Sequence, residues 1–484
     1  MFHRKIILKF LSVLLLFNGA FMALTVPLAI ADGDGSLKGI LLSIGLHLLF
    51  GALLYLGNKN SDGRELRARD GFIVVTAGWI LMAIFGCLPF ILTGSIPSIT
   101  NAFFETMSGF TTTGASILDD IESLPRSVLL WRSLTQWIGG MGIIVLAVAI
   151  LPILGIGSVQ LFSAEAPGLK LDKIKPRIAD TAKRLWFIYM GLTLIETVLL
   201  WIGGMSPFDA LNHSLTTVST GGFSTKQASI AYWDSAYIQY VISVFMFLGG
   251  TNFILIYWLI NFKFTKLVAN EEFRFYAGLT LAFSVLVATA LYVKDFYGME
   301  ESFRVSLFQV VSIVTTTGFA TADYTVWGSG MTMFFFLLLF AGGSAGSTAG
   351  GVKMIRHLIL FKNSGSELKR QLHPNAILPV RVDGKTVPIE TTSSVMAFII
   401  FYIILFALGS ILLAAMGVNF ETAIGAVATS IGNTGPGINE VSPSSNFNFL
   451  PPMAKWELSF LMLVGRLELF TVLILFNPYF WRRT

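Results

Sequence analysis

The sequence Asn101-Ala-Phe-Phe-Glu-Thr-Met-Ser-Gly-Phe-Thr-Thr-Thr-Gly-Ala-Ser116 lies between two long apolar runs, and three later stretches of the chain have the same form. They are Phe208-Asp-Ala-Leu-Asn-His-Ser-Leu-Thr-Thr-Val-Ser-Thr-Gly-Gly-Phe-Ser-Thr225, Phe303-Arg-Val-Ser-Leu-Phe-Gln-Val-Val-Ser-Ile-Val-Thr-Thr-Thr-Gly-Phe-Ala-Thr321 and Phe420-Glu-Thr-Ala-Ile-Gly-Ala-Val-Ala-Thr-Ser-Ile-Gly-Asn-Thr-Gly-Pro-Gly437. All four share a Thr-Gly pair: Thr113-Gly114, Thr220-Gly221, Thr317-Gly318 and Thr434-Gly435, with successive separations of 107, 97 and 117 residues. The spacing predicts four repeats of about 100 residues.

A second landmark follows each pair, in the apolar run that comes next. It is Gly139-Gly140, Gly249-Gly250, Gly342-Gly343 and Gly465-Arg466, whose second residues lie 27, 30, 26 and 32 residues after the Thr of each pair. A Thr-Gly turn and a Gly-Gly pair for close helix packing would explain a single copy. They do not explain four copies in the same order. We predict repeats at 71–165, 166–274, 275–375 and 376–484, after an N-terminal two-helix extension at 1–70.

The composition is that of a membrane protein, because 54% of the 484 residues are hydrophobic and only 13% are charged. Ten apolar runs are candidates for membrane spans, near 6–30, 39–57, 72–92, 136–156, 185–203, 238–261, 275–293, 328–341, 392–416 and 456–480. The first could be a signal peptide, but it is long and has no clear cleavage site, so we predict an anchor. The fold class expected is an all-α integral membrane protein with four span, pore-helix, span repeats around one central pore.

The positive charges predict the orientation, since Lys and Arg accumulate in cytoplasmic loops. Of 33 such residues, 25 lie at the N-terminus, at the C-terminus or in alternate loops at 58–70, 163–184, 261–274 and 353–385. Both termini are therefore predicted to be cytoplasmic. The net charge of +5 is small and scattered, which argues against nucleic acid as a partner.

Enzyme chemistry has little support in the sequence. The single cysteine, Cys87, excludes a disulfide framework, and no two of the five histidines stand four residues apart as on a zinc-binding helix. There is no phosphate loop or catalytic triad motif, so neither an enzyme nor an organic cofactor is predicted.

The Thr-Gly clusters are expected to line a path for a cation. Non-helical backbone cannot face lipid, and rings of carbonyl oxygens can replace the hydration shell of an ion. Helices that precede the clusters would direct their negative C-terminal ends at the site, which favours cations. The predicted filter residues are Thr111, Thr112, Thr113 and Gly114; Val218, Ser219, Thr220 and Gly221; Thr315, Thr316, Thr317 and Gly318; and Gly432, Asn433, Thr434 and Gly435.

A Gly-rich stretch at 341–351 interrupts the eighth apolar run. Broken helices at the depth of the membrane mark sites and gates, although a loosely packed helix with small residues is the alternative. The predicted gate residues are Gly342, Gly343, Ser344, Ala345, Gly346, Ser347, Thr348, Ala349, Gly350, Gly351 and Lys353.

Arg466 occupies the position that is Gly140, Gly250 and Gly343 in the other repeats. An arginine within the membrane is costly, so it should face a cavity and have a partner. We predict a positive charge beside the ion path, with a structural ion pair as the alternative. Glu468, two residues later, would point to another side of a helix.

With its fourfold span, pore-segment, span unit and one Gly after Thr in each cluster, the chain resembles the Trk/Ktr/HKT superfamily of K⁺ transporters, and the extra spans at 6–57 are similar to those of TrkH-type subunits of bacterial Trk systems. The resemblance implies a homodimer in the bacterial inner membrane, with one pore per subunit, docked on a cytosolic TrkA-type ring that binds nucleotides. It implies that Gly114, Gly221, Gly318 and Gly435 are filter glycines and favours K⁺ as the permeating ion. It also implies that the Gly-rich stretch obstructs the pore beneath the filter. Asn433 and Pro436 depart from the other clusters.

Channel-like K⁺ uptake is therefore the function predicted. An alternating-access symporter of K⁺ with H⁺ or Na⁺ is the alternative, because repeats and broken helices occur in such transporters too. Those repeats are usually inverted, whereas every repeat here is predicted to start on the same side.

Overall fold

The computed structural model describes residues 3–59, 68–145 and 178–482. The predicted loops around 60–67 and 146–177, with the boundary between the first two repeats and the second half of the apolar run at 136–156, lie outside these residues. The first part of the described chain is helical, with α1 at Arg4–Met22, α2 at Val26–Asp32 and α3 at Ser36–Gly57.

The rest of the described chain runs through the four predicted repeats. The first contains α4 (Ala68–Gly86), α5 (Leu88–Leu92), α6 (Ile99–Phe110) and α7 (Arg126–Val145). The second contains α8 (Ile178–Ile202), α9 (Pro207–Val218), α10 (Ala236–Gly249), α11 (Phe253–Ile260) and α12 (Phe264–Ala269). The third contains α13 (Glu271–Val293), α14 (Met299–Val314), α15 (Ser329–Leu338) and α16 (Met354–Leu372). A two-stranded antiparallel hairpin follows, β1 (Arg381–Val382) with β2 (Lys385–Thr386). The fourth repeat contains α17 (Ile389–Ala415), α18 (Phe420–Gly432), α19 (Pro452–Arg466), α20 (Phe470–Leu473) and α21 (Pro478–Trp481).

Six helical stretches of the described residues are long and apolar enough to cross a membrane: Arg4–Asp32, Ser36–Gly57, Arg69–Leu92, Lys183–Ile202, Glu271–Val293 and Ile389–Ala415. Two further spans are bent pairs, α10 with α11 at 113° and Pro452–Arg466 with Phe470–Phe476 at 111°. The apolar helix Ser329–Leu338 is shorter and leads into the Gly-rich stretch. The returning spans of the second, third and fourth repeats are thus all interrupted, whereas the sequence predicted a break in the third alone.

The N-terminal extension packs on the first repeat. The helix α1 lies against α3 and α4, and α2 lies against α7. Polar contacts join them at three places: a hydrogen bond of 2.8 Å between the hydroxyls of Ser36 and Ser127, an ion pair between Asp32 and Arg126, and a contact of 2.8 Å between the His3 ring and the Asp70 carboxylate. The described part of the extension is therefore a flank of the repeat bundle, and its Leu14 and Met22 side chains join the main hydrophobic core.

The helices α6, α9, α14 and α18, which we call the half-helices, are too short to cross a membrane. Three begin with a side-chain cap, in which Ser98, Ser206 or Asn419 accepts a hydrogen bond from a backbone N–H of the first turn. Nearly every residue in the second half of each half-helix is buried. The C-terminal halves of these short helices are therefore enclosed by the rest of the bundle.

Candidate functional site

The half-helices all end in the same backbone turn. The first non-helical residues with left-handed geometry are Thr112, Thr220, Thr316 and Asn433, with φ of 52°, 54°, 56° and 53°. The N–H of the residue after each one bonds a carbonyl five residues earlier, over 2.9 Å from Thr113, 2.8 Å from Gly221, 2.9 Å from Thr317 and 3.0 Å from Thr434. A glycine with positive φ follows in every case: Gly114, Gly222, Gly318 and Gly435, at 81°, 77°, 81° and 96°.

This geometry corrects the register of the second repeat by one residue. The equivalent of Gly114 is Gly222 and not Gly221, and Val218 is the last residue of α9. The sequence prediction matched the Thr-Gly pair, but the second repeat carries two glycines, and only the backbone dihedrals decide which one has left-handed geometry. We call 111–114, 219–222, 315–318 and 432–435 the Thr-Gly segments.

The four Thr-Gly segments touch one another in a closed ring. A Cβ atom on Gly114, Gly222, Gly318 or Gly435 would lie within 3 Å of one carbonyl oxygen of the next segment, namely that of Gly221, Thr317, Thr434 and Thr113 respectively. Each contact joins a segment to its successor, and the last joins the fourth to the first. We call this set of contacts the glycine ring. It brings four equivalent carbonyls to one level.

Buried hydroxyl and amide groups reinforce the ring. The Thr111 and Thr113 hydroxyls lie 2.7 Å apart, and those of Thr315 and Thr317 lie 2.8 Å apart. The Asn433 side-chain amide donates to the Thr113 hydroxyl over 3.0 Å. Asn433 also explains the departure of the fourth cluster from threonine, since asparagine tolerates left-handed geometry better than most residues.

The Gly-rich stretch, which we call the Gly-rich loop (341–351), lies directly against the Thr-Gly segments. The Gly350 N–H donates to the Thr316 hydroxyl over 2.7 Å. The Thr348 hydroxyl lies 3.0 Å from the Val218 carbonyl at the end of α9. Most of the loop is buried, although Gly346 is exposed. A Cβ on Gly350 would lie within 3 Å of the Gly432 carbonyl, so small residues are needed for this approach.

The loop is held at both ends by a carboxylate and by the neighbouring helices. The Glu272 side chain, at the start of α13, accepts hydrogen bonds from the N–H groups of Ala345 over 2.7 Å and Ile355 over 3.2 Å. The Ser344 N–H donates to the Gly250 carbonyl over 2.8 Å. Lys353 is buried and its amine donates to the Ala349 carbonyl. These contacts hold the stretch as a hydrogen-bonded loop, unlike the loosely packed helix considered from sequence.

Arg466 is 3% exposed and lies at the C-terminal end of α19. Its guanidinium donates to the carbonyl of Thr348 over 2.7 Å and to that of Gly139 over 3.1 Å. The side chain therefore links the fourth repeat to the Gly-rich loop and to the first repeat. Glu468 does not lie on a continuing helix, because α19 ends at Arg466 and Glu468 has a φ of 59°. It forms an ion pair with Arg356 at the start of α16.

Sequence reasoning missed three side chains around the ring. They are Gln136, whose amide donates to the Gly221 carbonyl over 2.6 Å, Glu272, and Glu105, which forms a buried ion pair of 2.7 Å with Arg132. Each is a polar or charged residue within or next to an apolar run. That signal was available in the sequence, but the partners of these residues lie 27 to 87 residues away along the chain and depend on the tertiary fold.

Four half-helices that meet in one closed ring of carbonyl groups, inside a bundle of apolar helices, define a class of membrane transport proteins that handle cations. The chain belongs to the TrkH family of cation transport proteins, whose sequence model matches residues 37–482. The predicted family, the all-helical membrane fold and a transport rather than an enzymatic class are confirmed by this match and by the relatives below.

The relatives cover nearly the whole chain. The Trk system potassium uptake proteins TrkH of Salmonella typhimurium and Escherichia coli K12 are each 40% identical over 484 residues, covering 99% of this chain and 100% of the relative. The potassium uptake protein TrkG of Escherichia coli K12 is 41% identical over 426 residues, or 87% of each chain. Among solved structures, the potassium transporter TrkH of Vibrio parahaemolyticus superposes with a TM-score of 0.90 at 37% identity, over 99% of this chain and 100% of that one.

Proposed function

We propose that the chain takes up K⁺ through the glycine ring, with the Thr-Gly segments acting as a selectivity filter. The observation that carries the proposal is the closure of the ring, in which every filter glycine lies against a carbonyl of the next segment. Carbonyl oxygens at one level can replace the water around a monovalent cation. The potassium uptake named for the relatives supports K⁺ as the permeating ion.

Uptake through such a filter needs no coupling ion. A membrane potential of 100 mV is worth about 2.3 kcal/mol per charge, which corresponds to roughly a fiftyfold concentration gradient. The half-helices favour a cation at the ring, because their C-terminal ends lead into the Thr-Gly segments and carry partial negative charge.

The Gly-rich loop is the proposed gate. Its hydrogen bonds to Thr316, to the end of α9 and to Arg466 hold it against the filter, where it would block an ion. Opening requires these contacts to break, and a cytosolic TrkA-type ring that binds nucleotides is the proposed source of the force. We further propose a homodimer in the bacterial inner membrane, surrounded by lipid and with both termini in the cytoplasm, as the family resemblance and the loop charges imply.

The filter is tested by ion selectivity in liposomes that contain the purified protein. Gly318→Ser should lower the K⁺ over Na⁺ flux ratio by about fivefold or more, which corresponds to about 1 kcal/mol, because a Cβ there meets the Thr434 carbonyl and the φ of 81° disfavours a side chain. Gly191→Ser on α8 is the matched control, since a Cβ on Gly191 meets nothing within 4 Å. Parent ratios in Ser variants of all four ring glycines would contradict the filter.

Alternating access is the second candidate, and the bends of 113° and 111° in the returning spans are the observation in its favour. Recording from the protein in planar bilayers separates the two. Discrete conductance steps with a reversal potential set by K⁺ alone support the channel. A reversal potential that moves with an H⁺ or Na⁺ gradient at constant K⁺ supports the symporter.

A further inference from the structure

Gln136 reaches from α7 of the first repeat into the Thr-Gly segment of the second. Its side chain is fully buried. The amide nitrogen donates to the Gly221 carbonyl over 2.6 Å, and the amide oxygen accepts the Phe223 N–H over 3.0 Å. One side chain therefore bonds the backbone on both sides of the ring glycine Gly222.

The contact coincides with the one place where the second segment lacks a threonine. The position occupied by Gly221 is Thr113, Thr317 and Thr434 in the other segments. Gly222 has positive φ and Gly221 does not, so backbone geometry does not demand glycine at 221. A Cβ on Gly221 would instead lie within 3 Å of the side-chain amide carbon and oxygen of Gln136. The space of the missing threonine is filled by Gln136.

Gln136 has no counterpart in the other returning spans. It stands four residues before Gly140, and the residues at the same distance from Gly250, Gly343 and Arg466 are Met246, Leu339 and Met462. In the first and third segments a pair of threonine hydroxyls stiffens the turn instead. The second segment thus depends on a side chain from a neighbouring repeat for the support that the first and third segments supply themselves.

We propose that Gln136 is a positioning residue that determines ion selectivity, by fixing the Gly221 carbonyl in the ring. Without a side chain at 221, the backbone there is freer than at a threonine. The Gln136 amide, with its donor and its acceptor both engaged, restrains this carbonyl to the level of the other three. The inference rests on the proposed filter and adds a specificity determinant outside the four Thr-Gly segments.

The first test is Gln136→Met, which introduces the residue found at this position in the second and fourth repeats. We expect the K⁺ over Na⁺ permeability ratio, measured from reversal potentials in planar bilayers, to fall about tenfold, the equivalent of one hydrogen bond. The matched control is Gln239→Met. Gln239 is also a buried glutamine on a returning span, but it contacts Trp233 and Arg304, away from the ring. Its variant should keep the parent ratio.

The second test replaces the support from Gln136 by a threonine at position 221, as in the other three segments. Gly221→Thr alone should disturb the ring, because the new side chain meets Gln136. The double variant Gln136→Ala with Gly221→Thr rebuilds in the second segment the threonine of the other three, and it should recover the parent permeability ratio. If the role of Gln136 is merely structural, Gln136→Met will change protein yield or thermal stability, and the K⁺ over Na⁺ permeability ratio of the folded variant will equal that of the parent.

The outcomes separate this inference from the filter itself. If Gly318→Ser lowers the ratio and Gln136→Met does not, the positioning role is wrong and the filter stands. If neither lowers the permeability ratio, and Ser variants of the other three ring glycines do not lower it either, the filter is wrong as well. Should Gln136→Met give no monodisperse protein, the double variant decides: the parent ratio supports the inference, and either an altered ratio or a failure to fold overturns it.

Discussion

The Gly350 N–H donates to the Thr316 hydroxyl over 2.7 Å, so the Gly-rich loop is bonded directly to a Thr-Gly segment. Thr316 is also the residue with left-handed geometry at which the third half-helix turns into the ring. The proposed gate and the proposed filter are therefore joined by a hydrogen bond. A displacement of the loop must change the surroundings of the filter, and a movement of the filter backbone at Thr316 must strain or break its hydrogen bond to the loop.

Removal of the Thr316 hydroxyl should weaken the closed state of the proposed gate. Thr316→Val keeps the shape of the side chain but cannot accept the Gly350 N–H, and we expect basal K⁺ flux into liposomes to rise severalfold, since one hydrogen bond is worth about 1 kcal/mol. Thr289→Val on the exposed side of α13 is the control, because the Thr289 hydroxyl bonds only its own helix at Val285. Equal flux in both variants would show that the bond does not hold the gate.

Shortening the loop should have a larger effect. Deletion within 343–350 removes the segment that lies against the Thr-Gly segments, so the partner-free protein should pass cations faster than the parent, by about tenfold or more if the closed state is favoured by more than 1.4 kcal/mol. The same liposome flux assay measures it, after size-exclusion chromatography has established that the deletion is folded. A folded deletion with parent or lower flux contradicts a gate.

Arg466→Ala should raise flux and leave selectivity close to that of the parent. Two effects act in the same direction. The variant loses the bond from the guanidinium to the Thr348 carbonyl, and it loses a positive charge whose repulsion on a cation about 5 Å away is about 3 kcal/mol at an effective dielectric constant of 20. Arg466→Lys keeps the charge but not the two-pronged contact and separates the effects. If folded Arg466→Ala passes cations no faster than the parent, Arg466 is a structural partner only and does not limit flux.

Glu272 should act as a latch on the loop. Glu272→Ala removes the acceptor of both the Ala345 and Ile355 N–H groups and leaves them buried without it, so we expect a lower thermal midpoint and a higher basal flux. Glu272→Gln retains a carbonyl oxygen and should lie between the parent and the alanine variant in both measurements. If the basal flux of the glutamine variant equals that of the alanine variant, the negative charge of Glu272 holds the loop, and the two hydrogen bonds alone do not.

Asp323 should contribute stability that depends on pH. This loop carboxylate accepts hydrogen bonds from Ser442 over 3.0 Å and Ser444 over 2.6 Å, which tie the third repeat to the fourth. Burial disfavours its charged form, but the bonds from Ser444, Thr325 and Ser442 outweigh burial and hold the Asp323 pKa below its usual range. The stabilisation is thus complete above the ordinary aspartate pKa of about 4 and is lost as pH falls through the lowered value.

Asp323→Ala should therefore lower the free energy of unfolding by about 1 kcal/mol at pH 7, and the difference from the parent should shrink only below about pH 4. Thermal midpoints in detergent at several pH values measure it. The control is Asp234→Ala, an exposed aspartate. A difference that disappears already between pH 7 and 5 would contradict this assignment.

The repeats and half-helices could be predicted because apolar periodicity and the Thr-Gly pairs are local signals. The register of the second segment could not, since Thr220-Gly221-Gly222 offers two glycines and only the folded backbone assigns positive φ to the second. The sequence predicts Glu468 on a continuing helix, whereas α19 ends at Arg466, because the apolar run continues past that residue and hides the break. The partners of Gln136 and Glu272 come from distant parts of the chain, so their roles followed only from tertiary structure.

The contact between Asn433 and Thr113 joins residues that are 320 positions apart. It is part of the interface between the last repeat and the first. During synthesis the ribosome delivers the repeats to the membrane one after another. Until the fourth repeat arrives, the side of the first repeat that will form this interface has no partner. The closed ring of four Thr-Gly segments therefore forms only at the end of translation, and a chain stalled or cut before residue 433 lacks the segment that completes it.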